Sequence, residues 1–242
     1  MRTALLIIAT GERYRNYAVS HAISADIYFI PHDTVIFTDN EEIFSAEYLS
    51  IFKNWQAKYF TIPCAYSGYP ESTLRRYNAF AANQHFLSSY EYLFYADADM
   101  RWVDKVSEDE ILSSGITATE HPGYVGTHGT PETRVESTAY CLQPRTYFCG
   151  GFQGGTSEAF LAMSETLARN IDDDARCGIT AVWYDESHLN RYLYDNPPAK
   201  ILTPSFCYPE KDNYYKQIWQ NAKREEFKPK LIALDKASHE LA

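Results

Sequence analysis

Two aspartates separated by one small residue follow a strongly apolar stretch of the chain. Asp97-Ala98-Asp99 comes directly after the segment Tyr92–Ala96. Side chains alternate along a strand, so Asp97 and Asp99 would leave the carboxyl end of a buried strand on the same side. Ligands bind at that edge of open α/β sheets, and carboxylate oxygens favour Mg²⁺ or Mn²⁺ shared with substrate phosphates. A polar turn after a strand explains the same residues, and this pattern alone leaves both interpretations open.

A pair of arginines lies one predicted helix before these aspartates. Arg75 and Arg76 could bring a guanidinium beside the two carboxylates, which would orient them and lower their pKa. Taken alone, two adjacent arginines on a helix favour a solvent-exposed face.

The first apolar stretch also ends in residues that suit a ligand. Ala9-Thr10-Gly11 could form a turn that offers backbone N–H and C=O groups to the edge of a base, and Tyr14 could stack on that base. Neither of the glycine-rich phosphate-loop patterns, GxGxxG or GxxxxGK, is present.

Four glycines surround Phe152 and Gln153 in the segment 150–155. Without side chains, Gly150 and Gly151 would let a ligand approach the backbone closely. A β-bulge or a sharp bend accounts equally well for the same composition.

The segment 183–188, with the sequence WYDESH, places ionisable side chains beside a tryptophan. A carboxylate from Asp185 or Glu186 could stabilise an oxocarbenium-like carbon or act as a nucleophile, while Trp183 packs against a sugar face. An acidic first helical turn that complements the helix dipole is the alternative. His188 is expected to be a structural histidine.

These residues need a framework, and the apolar pattern predicts an α/β fold. Strands are predicted at 3–9, 34–38, 58–62 and 91–96, with helices at 13–25 and, more weakly, 41–51. Another helix is predicted to open at 70–73, with Ser72 or Thr73 as its N-cap. Alternating strands and helices predict a parallel sheet in the first hundred residues. Helices at 157–170 and 184–195 and a strand at 201–203 follow. With no linker and no repeat, residues 1–242 are predicted to form one domain of two subregions, about 1–100 and 101–242.

Composition narrows the class of protein. The 242 residues carry a formal net charge of -10, which argues against a nucleic-acid partner because no basic stripe could neutralise phosphates. Five scattered cysteines without zinc-type spacing indicate reduced thiols. No segment is long and apolar enough to span a bilayer, and the first apolar run is followed by Gly-Glu-Arg rather than a cleavage site. These features predict a soluble, cytoplasmic protein.

Six stretches of the chain resemble the family 6 glycosyltransferases, which include the blood-group A and B transferases and the α-1,3-galactosyltransferases. They are 94–100 (FYADADM), 120–123 (EHPG), 137–140 (STAY), 147–152 (YFCGGF), 181–193 (AVWYDESHLNRYL) and 202–204 (LTP). The stretches come in the order of the family and cover nearly the whole chain. The animal enzymes' N-terminal tail, membrane anchor and stem have no counterpart, so the chain resembles the short catalytic-domain form of bacteria and viruses.

The resemblance implies a GT-A fold and a retaining transferase that uses a UDP-sugar and a glycan acceptor, with an α-1,3 linkage in the product. It implies that Asp97 and Asp99 bind Mn²⁺, or Mg²⁺, together with the donor diphosphate. Glu186 matches the catalytic carboxylate of the family. The other matched positions divide into a donor set, comprising Ala9, Thr10, Gly11, Tyr14, Arg76, Ala98, Gly150, Gly151, Asp185 and Lys236, and an acceptor set, comprising His121, Thr130, Cys149, Trp183 and Glu186.

The resemblance also bears on which sugar is transferred. Gly123 and Gly151 stand at the two positions where the animal enzymes exchange small and larger residues, and glycine at both implies room for N-acetylgalactosamine rather than galactose. Cys149 and Tyr184 depart from the residues of the animal enzymes at their positions. Two other classes of protein are alternatives: a metal-dependent phosphohydrolase, which should show more metal ligands, and a non-catalytic sugar-binding module, which could dispense with the acidic pairs.

Overall fold

The computed structural model of the chain describes residues 2–43, 58–211 and 224–239. Within them a seven-stranded mixed sheet carries helices on both faces, and a small three-stranded sheet lies beside it. The strands are β1 (Thr3–Ala9), β2 (Asp33–Thr38), β3 (Tyr59–Pro63), β4 (Tyr92–Ala96), β5 (Met100–Trp102), β6 (Ile116–Glu120), β7 (Phe148–Thr156), β8 (Lys200–Leu202), β9 (Tyr208–Pro209) and β10 (Leu231–Ala233). The helices are α1 (Glu12–Tyr28), α2 (Glu71–Leu74), α3 (Arg76–Ala82), α4 (Gln84–Leu87), α5 (Glu108–Ile111), α6 (Ser157–Arg176) and α7 (Tyr184–Asp195).

The large sheet has the strand order β3-β2-β1-β4-β7-β6-β8. Strands β3, β2, β1 and β4 run parallel, as predicted for the first hundred residues, and β7 is antiparallel to both of its neighbours. All seven residues of β1 are buried because the strand has partners on both sides and helices on both faces. The predicted α/β class is confirmed, and the architecture agrees with the GT-A fold that the resemblance implies.

Strand order around β1 creates the crevice that a ligand could enter. The chain passes from β1 through α1 to β2 on one side, whereas β4 pairs with β1 on the other side. Such a reversal opens a crevice at the carboxyl ends of the strands. Thr10 follows β1 and Asp97 follows β4, so both lie at this edge.

A helix opens at Glu71, as predicted for residues 70–73, but it does not continue as one element. The segment forms α2, α3 and α4, separated by Arg75 and Asn83, whose backbone angles are not helical. The predicted N-caps Ser72 and Thr73 lie inside α2, which begins after Pro70 without a side-chain cap. The break turns Arg76 inward, as described below.

The remaining predicted elements differ from the structure mainly at their ends. Helix α6 continues to Arg176, and its N-cap is Thr156, whose hydroxyl accepts a hydrogen bond from the Ala159 amide. Helix α7 has the predicted bounds. The weak helical pattern at 41–51 lies outside the described residues from position 44 onward. No helix among the described residues is long and apolar enough to cross a membrane. The assignment of the chain to one domain stays a prediction.

Candidate active site

Two adjoining cavities form a cleft at the carboxyl ends of β1 and β4. One, of about 260 Å³, is lined by Thr10, Tyr14, Tyr69, Arg76, Tyr95, Asp97, Ala98, Asp99 and Lys236, among others. The other, of about 180 Å³, is lined by Thr73, Arg76, Asp97, Gly150, Gly151, Trp183, Asp185 and Glu186. Both are lined by Thr73, Arg76 and Asp97, so they are parts of one cleft. A larger cavity near Arg2 and His32 contains none of the predicted site residues.

The Arg76 guanidinium occupies the centre of this cleft and is buried. It donates to the Asp97 Oδ1 atom at 3.1 Å and to the Gly150 carbonyl at 2.9 Å, and its Nε lies 2.9 Å from Asp185 Oδ2. The Cζ atom of Arg76 also lies over the Tyr95 ring, 4.6 Å from the ring centroid. The expectation of a solvent-exposed face is therefore wrong for Arg76, which links residues of α3, β7, α7 and the turn after β4.

Asp97, Ala98 and Asp99 connect β4 to β5, and β4 ends at Ala96, as predicted. Asp97 accepts a hydrogen bond from the Tyr95 hydroxyl at 2.6 Å. Burial raises the pKa of Asp97, with Asp99 adding to the increase and Arg76 opposing it. Arg76 lowers this pKa, as expected of a nearby guanidinium, but burial outweighs the ion pair and the net shift is upward.

These two aspartates fit a divalent cation. Asp99 Oδ2 lies 2.8 Å from the ammonium of Lys236, so a cation already stands beside one carboxylate. The other oxygen of Asp97 faces Gly151, where an added Cβ would lie 3.4 Å from it. No group of three or more His, Cys, Asp or Glu side chains within the described ranges could hold a metal ion. Two carboxylates completed by diphosphate oxygens and water form the type of site that suits Mg²⁺ or Mn²⁺.

The second acidic pair opens helix α7. Tyr184, the first helical residue, has a positive φ of 51°, an uncommon conformation outside glycine that sets the chain direction just before the two acidic residues. Asp185 is buried against Arg76, and Glu186 Oε2 accepts a hydrogen bond from the Gly150 amide at 2.8 Å. Both carboxylates therefore lie against β7, with Asp185 buried and Glu186 half-buried, an arrangement that a helix dipole alone does not explain.

Burial shifts the protonation of this pair toward neutral pH. It raises the pKa of Asp185 to about 7, against the opposing effect of Arg76. It also raises the pKa of Glu186 to about 7, where the Gly150 amide and the Tyr147 hydroxyl oppose the increase. Carboxylates with raised pKa values in a cleft are characteristic of catalytic acids, bases and nucleophiles.

The glycine-rich segment forms most of β7, where the bulge is observed and the approach of a ligand to Gly150 and Gly151 stays a prediction. The register between β6 and β7 shifts between the pairs Ala118–Gln153 and Glu120–Phe148, as a bulge requires. An added Cβ at Gly150 would lie 3.6 Å from Asp185 Oδ2 and 3.7 Å from Glu186 Oε2, so the missing side chain leaves room at the acidic pair. The neighbouring Cys149 is buried, and its thiol contacts that of Cys207.

The predicted nucleotide-binding turn lies at the far end of the cleft from Glu186. Ala9 ends β1 and is buried, and Gly11 has a φ of 80° and precedes α1. The Gly11 amide donates to Asp39 at 2.8 Å, so that amide is already engaged. Thr10 and Tyr14 line the cavity that contains Asp97 and Asp99, and their role beside a base stays a prediction.

Three predicted acceptor residues, His121, Thr130 and Cys149, are outside the lining of the cleft. The His121 ring packs on Tyr124 and Tyr147, with centroid distances of 4.9 and 5.8 Å. Thr130 is exposed and its hydroxyl donates to Tyr124 at 3.4 Å. Trp183, by contrast, lines the cleft and is 46% exposed, which leaves a ring face free for a large ligand.

The sequence did not point to two side chains around the cleft, Tyr95 and Cys207, and it pointed to Lys236 only through the resemblance. Tyr95 could have been found, because it lies two residues before Asp97 and alternation puts the two on one side. The contacts of Lys236 with Asp99 and of Cys207 with Cys149 join distant parts of the chain and leave no local signal. His188 is buried 3.7 Å from Asp174 and outside the cleft lining, consistent with the predicted structural role.

Comparison with known proteins adds independent information. The sequence model of glycosyltransferase family 6 matches residues 3–226. The rat histo-blood group ABO system transferase 1 is 36% identical over 135 residues, which cover 54% of this chain and 38% of the relative. The chain thus aligns with about two fifths of the length of the rat ABO relatives.

Two other relatives align over most of the chain. The Escherichia coli O-antigen biosynthesis glycosyltransferase WbnI is 26% identical over 215 residues, covering 86% of this chain and 88% of the relative. The human globoside alpha-1,3-N-acetylgalactosaminyltransferase 1 is 28% identical over 218 residues, covering 85% of this chain and 60% of the relative.

Proposed function

The chain belongs to glycosyltransferase family 6, and from this premise we propose that it is a retaining, Mn²⁺-dependent transferase of N-acetylgalactosamine. The donor is UDP-N-acetylgalactosamine, with slower use of UDP-galactose, and the product is an α-1,3 linkage to a glycan acceptor. The names of the chicken and human globoside relatives support this linkage and sugar. The retained carboxylates at 97, 99 and 186 favour an enzyme over a sugar-binding module, and the family favours a transferase over a phosphohydrolase.

The observation that carries this proposal is one cleft with two acidic pairs joined through Arg76. Asp97 and Asp185 both pair with this guanidinium, at 3.1 and 2.9 Å, which fixes the distance between the two halves of the cleft. A nucleotide on the Thr10 and Tyr14 side would direct its diphosphate toward Asp97 and Asp99. The attached sugar would then lie beside Gly150, Gly151 and Glu186.

Asp97 and Asp99 would hold the Mn²⁺, or Mg²⁺, ion in this proposal. When bound, such an ion neutralises charge that develops on the departing UDP. Arg76 keeps Asp97 oriented and carries positive charge of its own, since Asp185 raises its pKa although burial opposes this.

Glu186 is the residue proposed to act on the anomeric carbon. The Gly150 amide holds its Oε2 atom at 2.8 Å, so the carboxylate is oriented before substrate arrives. An ionised Glu186 could form a covalent intermediate or stabilise positive charge while the acceptor attacks from the face that UDP leaves. Both routes need the same ionised carboxylate and both give net retention. Trp183, exposed at the rim, would pack against the acceptor sugar.

The direct test is turnover of a panel of UDP-sugars, scored as UDP release with and without oligosaccharide acceptors, in Mn²⁺ or EDTA. Asp97→Asn and Asp99→Asn should each abolish Mn²⁺-stimulated release, because each removes an ionised ligand while leaving the core unchanged. Asp104→Asn is the matched control, since Asp104 pairs only with lysines at the surface among its described contacts. Full turnover of the Asp97/Asp99 double variant in EDTA would contradict the metal role.

A further inference from the structure

The ion pair at Asp99 links the candidate metal site to the far end of the chain. Lys236 Nζ lies 2.8 Å from Asp99 Oδ2 and donates to the Tyr14 hydroxyl at 3.2 Å. The ammonium also lies 5.4 Å from the centroid of the Tyr14 ring. One positive charge is therefore held between a predicted metal ligand and a predicted base-binding residue.

Backbone contacts hold this part of the chain on the site. The Leu234 amide donates to the Asp99 carbonyl at 2.9 Å, directly at the end of β10. The Arg13 guanidinium donates to the Lys236 carbonyl at 2.5 Å, and the Tyr17 hydroxyl donates to the His239 carbonyl at 3.2 Å. Helix α1 and strand β10 thus fix the backbone of Lys236, and only its side chain has to move for the ammonium to leave Asp99.

The two cations that Asp99 could bind compete with one another. A divalent cation shared by Asp97 and Asp99 needs an oxygen of Asp99, and Lys236 already occupies Oδ2. An ammonium that stayed within a few ångströms of the metal would also repel it in a partly buried cleft. A diphosphate changes this balance, because it supplies the negative charge with which the ammonium can pair after leaving Asp99.

We propose that Lys236 is the resident counterion of Asp99 in the ligand-free protein and competes with the divalent cation for that carboxylate. The cation therefore binds weakly to the free protein and tightly only together with the donor diphosphate, which accepts the displaced ammonium. This inference rests on the proposed function, because it assumes that Asp97 and Asp99 hold the metal. It adds that Lys236 couples metal binding to donor binding.

The test measures binding of Mn²⁺ to the protein without nucleotide, from the electron paramagnetic resonance signal of the free ion. Lys236→Met keeps the length of the side chain but removes its charge, and should bind Mn²⁺ about three- to tenfold more tightly than the unmodified protein. Lys236→Arg keeps a cation at Asp99 and should stay within about twofold of the unmodified protein. The thermal unfolding midpoint of each variant checks that the fold is intact.

Lys228→Met is the matched control for net charge. Lys228 is 77% exposed and pairs with Asp104 at 2.6 Å, away from the candidate site. Its removal changes the total charge by the same amount as removal of Lys236, and its affinity for Mn²⁺ should be unchanged. Unchanged Mn²⁺ affinity in Lys236→Met, or equal tightening in Lys228→Met, would overturn the inference.

A second titration separates this inference from the proposed function. At saturating Mn²⁺, Lys236→Met should bind UDP more weakly than the unmodified protein, so the same substitution acts in opposite directions on metal and nucleotide. Tight Mn²⁺ binding to the unmodified protein that UDP does not improve contradicts the coupling but leaves the metal site intact. Absence of Mn²⁺ binding to every variant, with UDP present, contradicts the metal dependence and the inference with it.

Discussion

At the scale of single residues, the cleft contains more acidic side chains than the single positive charge of the buried Arg76 can balance. Asp97 adds to the raised pKa values of Asp185 and Glu186, which come mainly from burial, whereas Arg76 supplies one positive charge among them. Burying like charges disfavours their ionised forms. A bound cation would remove part of this cost, so the free protein should be less stable when all three carboxylates are ionised.

Glu186→Gln tests the proposed catalytic carboxylate. The substitution preserves size and can still accept the hydrogen bond of the Gly150 amide, but it removes the negative charge. Turnover should fall at least ~10²-fold because the transition state loses its electrostatic stabilisation. The product linkage of the unmodified enzyme, determined by NMR, should be α. Glu165→Gln, an exposed position on α6, is the control. Near-normal turnover of Glu186→Gln, or a β-linked product, would exclude the assignment.

The same variant makes a prediction about stability and pH. The pKa of Glu186 is raised by burial from 4.5 to about 7, so the folded protein retains a proton that the unfolded chain has lost. The free energy of unfolding should therefore fall as pH rises from about 4.5 to about 7. Glu186→Gln lacks this titration. Above pH ~7 its free energy of unfolding should exceed that of the unmodified protein by about 1–3 kcal/mol. Urea unfolding in EDTA measures the difference, and parallel pH profiles of the two proteins would contradict it.

Gly151 is the residue at which donor choice can be altered. An added methyl group would lie 3.3 Å from Cys207 Sγ and 3.4 Å from Asp97 Oδ2, so Ala fits only with a small shift of its neighbours. That methyl group takes space proposed for the acetamido group. Gly151→Ala should therefore lower kcat/KM for UDP-N-acetylgalactosamine about tenfold relative to UDP-galactose.

The control for this prediction is the double variant Gly151→Ala/Cys207→Ala. Cys207 provides the closest of the three contacts measured for the added methyl group, so its truncation relieves the crowding. The changed preference should persist in the double variant if the methyl group acts on the sugar directly. A return to the original preference would show that displacement of Cys207 was responsible. Equal or faster use of UDP-galactose by the unmodified enzyme would contradict the donor assignment.

At the scale of elements, strand β7 combines glycines that serve the cleft with glycines that serve packing. An added Cβ at Gly154 would lie 2.2 Å from the Phe94 ring and 2.5 Å from the Leu93 carbonyl oxygen, whereas at Gly150 the nearest atom would be 3.6 Å away. Gly154→Ala should destabilise the protein by about 3 kcal/mol or more, because the carbonyl belongs to the adjacent strand and cannot move aside. Gly150→Ala should keep its unfolding midpoint and lose at least about tenfold in turnover. Thermal unfolding measures the stability of each variant, and UDP release measures its turnover. Equal losses of stability in the two variants would contradict the different roles of Gly150 and Gly154.

Local patterns in the sequence were enough to predict the elements that are determined by burial or by the residues at their ends. Strand β1 is a continuous apolar run because it is buried on both faces, and α7 ends where Asn196 and two prolines follow. The segment 70–87 could not be predicted in the same way. Its apolar spacing is that of one helix, but Arg75 and Asn83 break it so that Arg76 reaches the buried carboxylates. Tertiary pairing of this guanidinium overrides the helical pattern.

At the scale of the whole molecule, contacts between distant segments complete the cleft. The motifs around Asp97, Gly150 and Glu186 could be recognised from sequence because each is contiguous. Their mutual arrangement through Arg76, and the contact of Lys236 with Asp99, depend on the order of strands in two sheets. Sequence periodicity carries no information about such pairings, which is why Lys236 could be predicted only from the resemblance.

Two truncations separate the structural role of the C-terminal segment from its role at the site. Leu231 is fully buried, and β10 pairs with both β5 and β9, so a chain ending at Lys230 loses the centre of the small sheet. That truncation should lower the free energy of unfolding by about 3 kcal/mol or more, through lost apolar burial and unpaired strand edges.

A chain ending at Leu234 keeps β10 and loses Lys236, which is exposed over half of its side chain. This second chain should retain most of its stability, bind UDP with Mn²⁺ more weakly, and bind Mn²⁺ alone more tightly. Urea unfolding and Mn²⁺ titration measure both effects, and two chains of equal stability would contradict the structural role of β10.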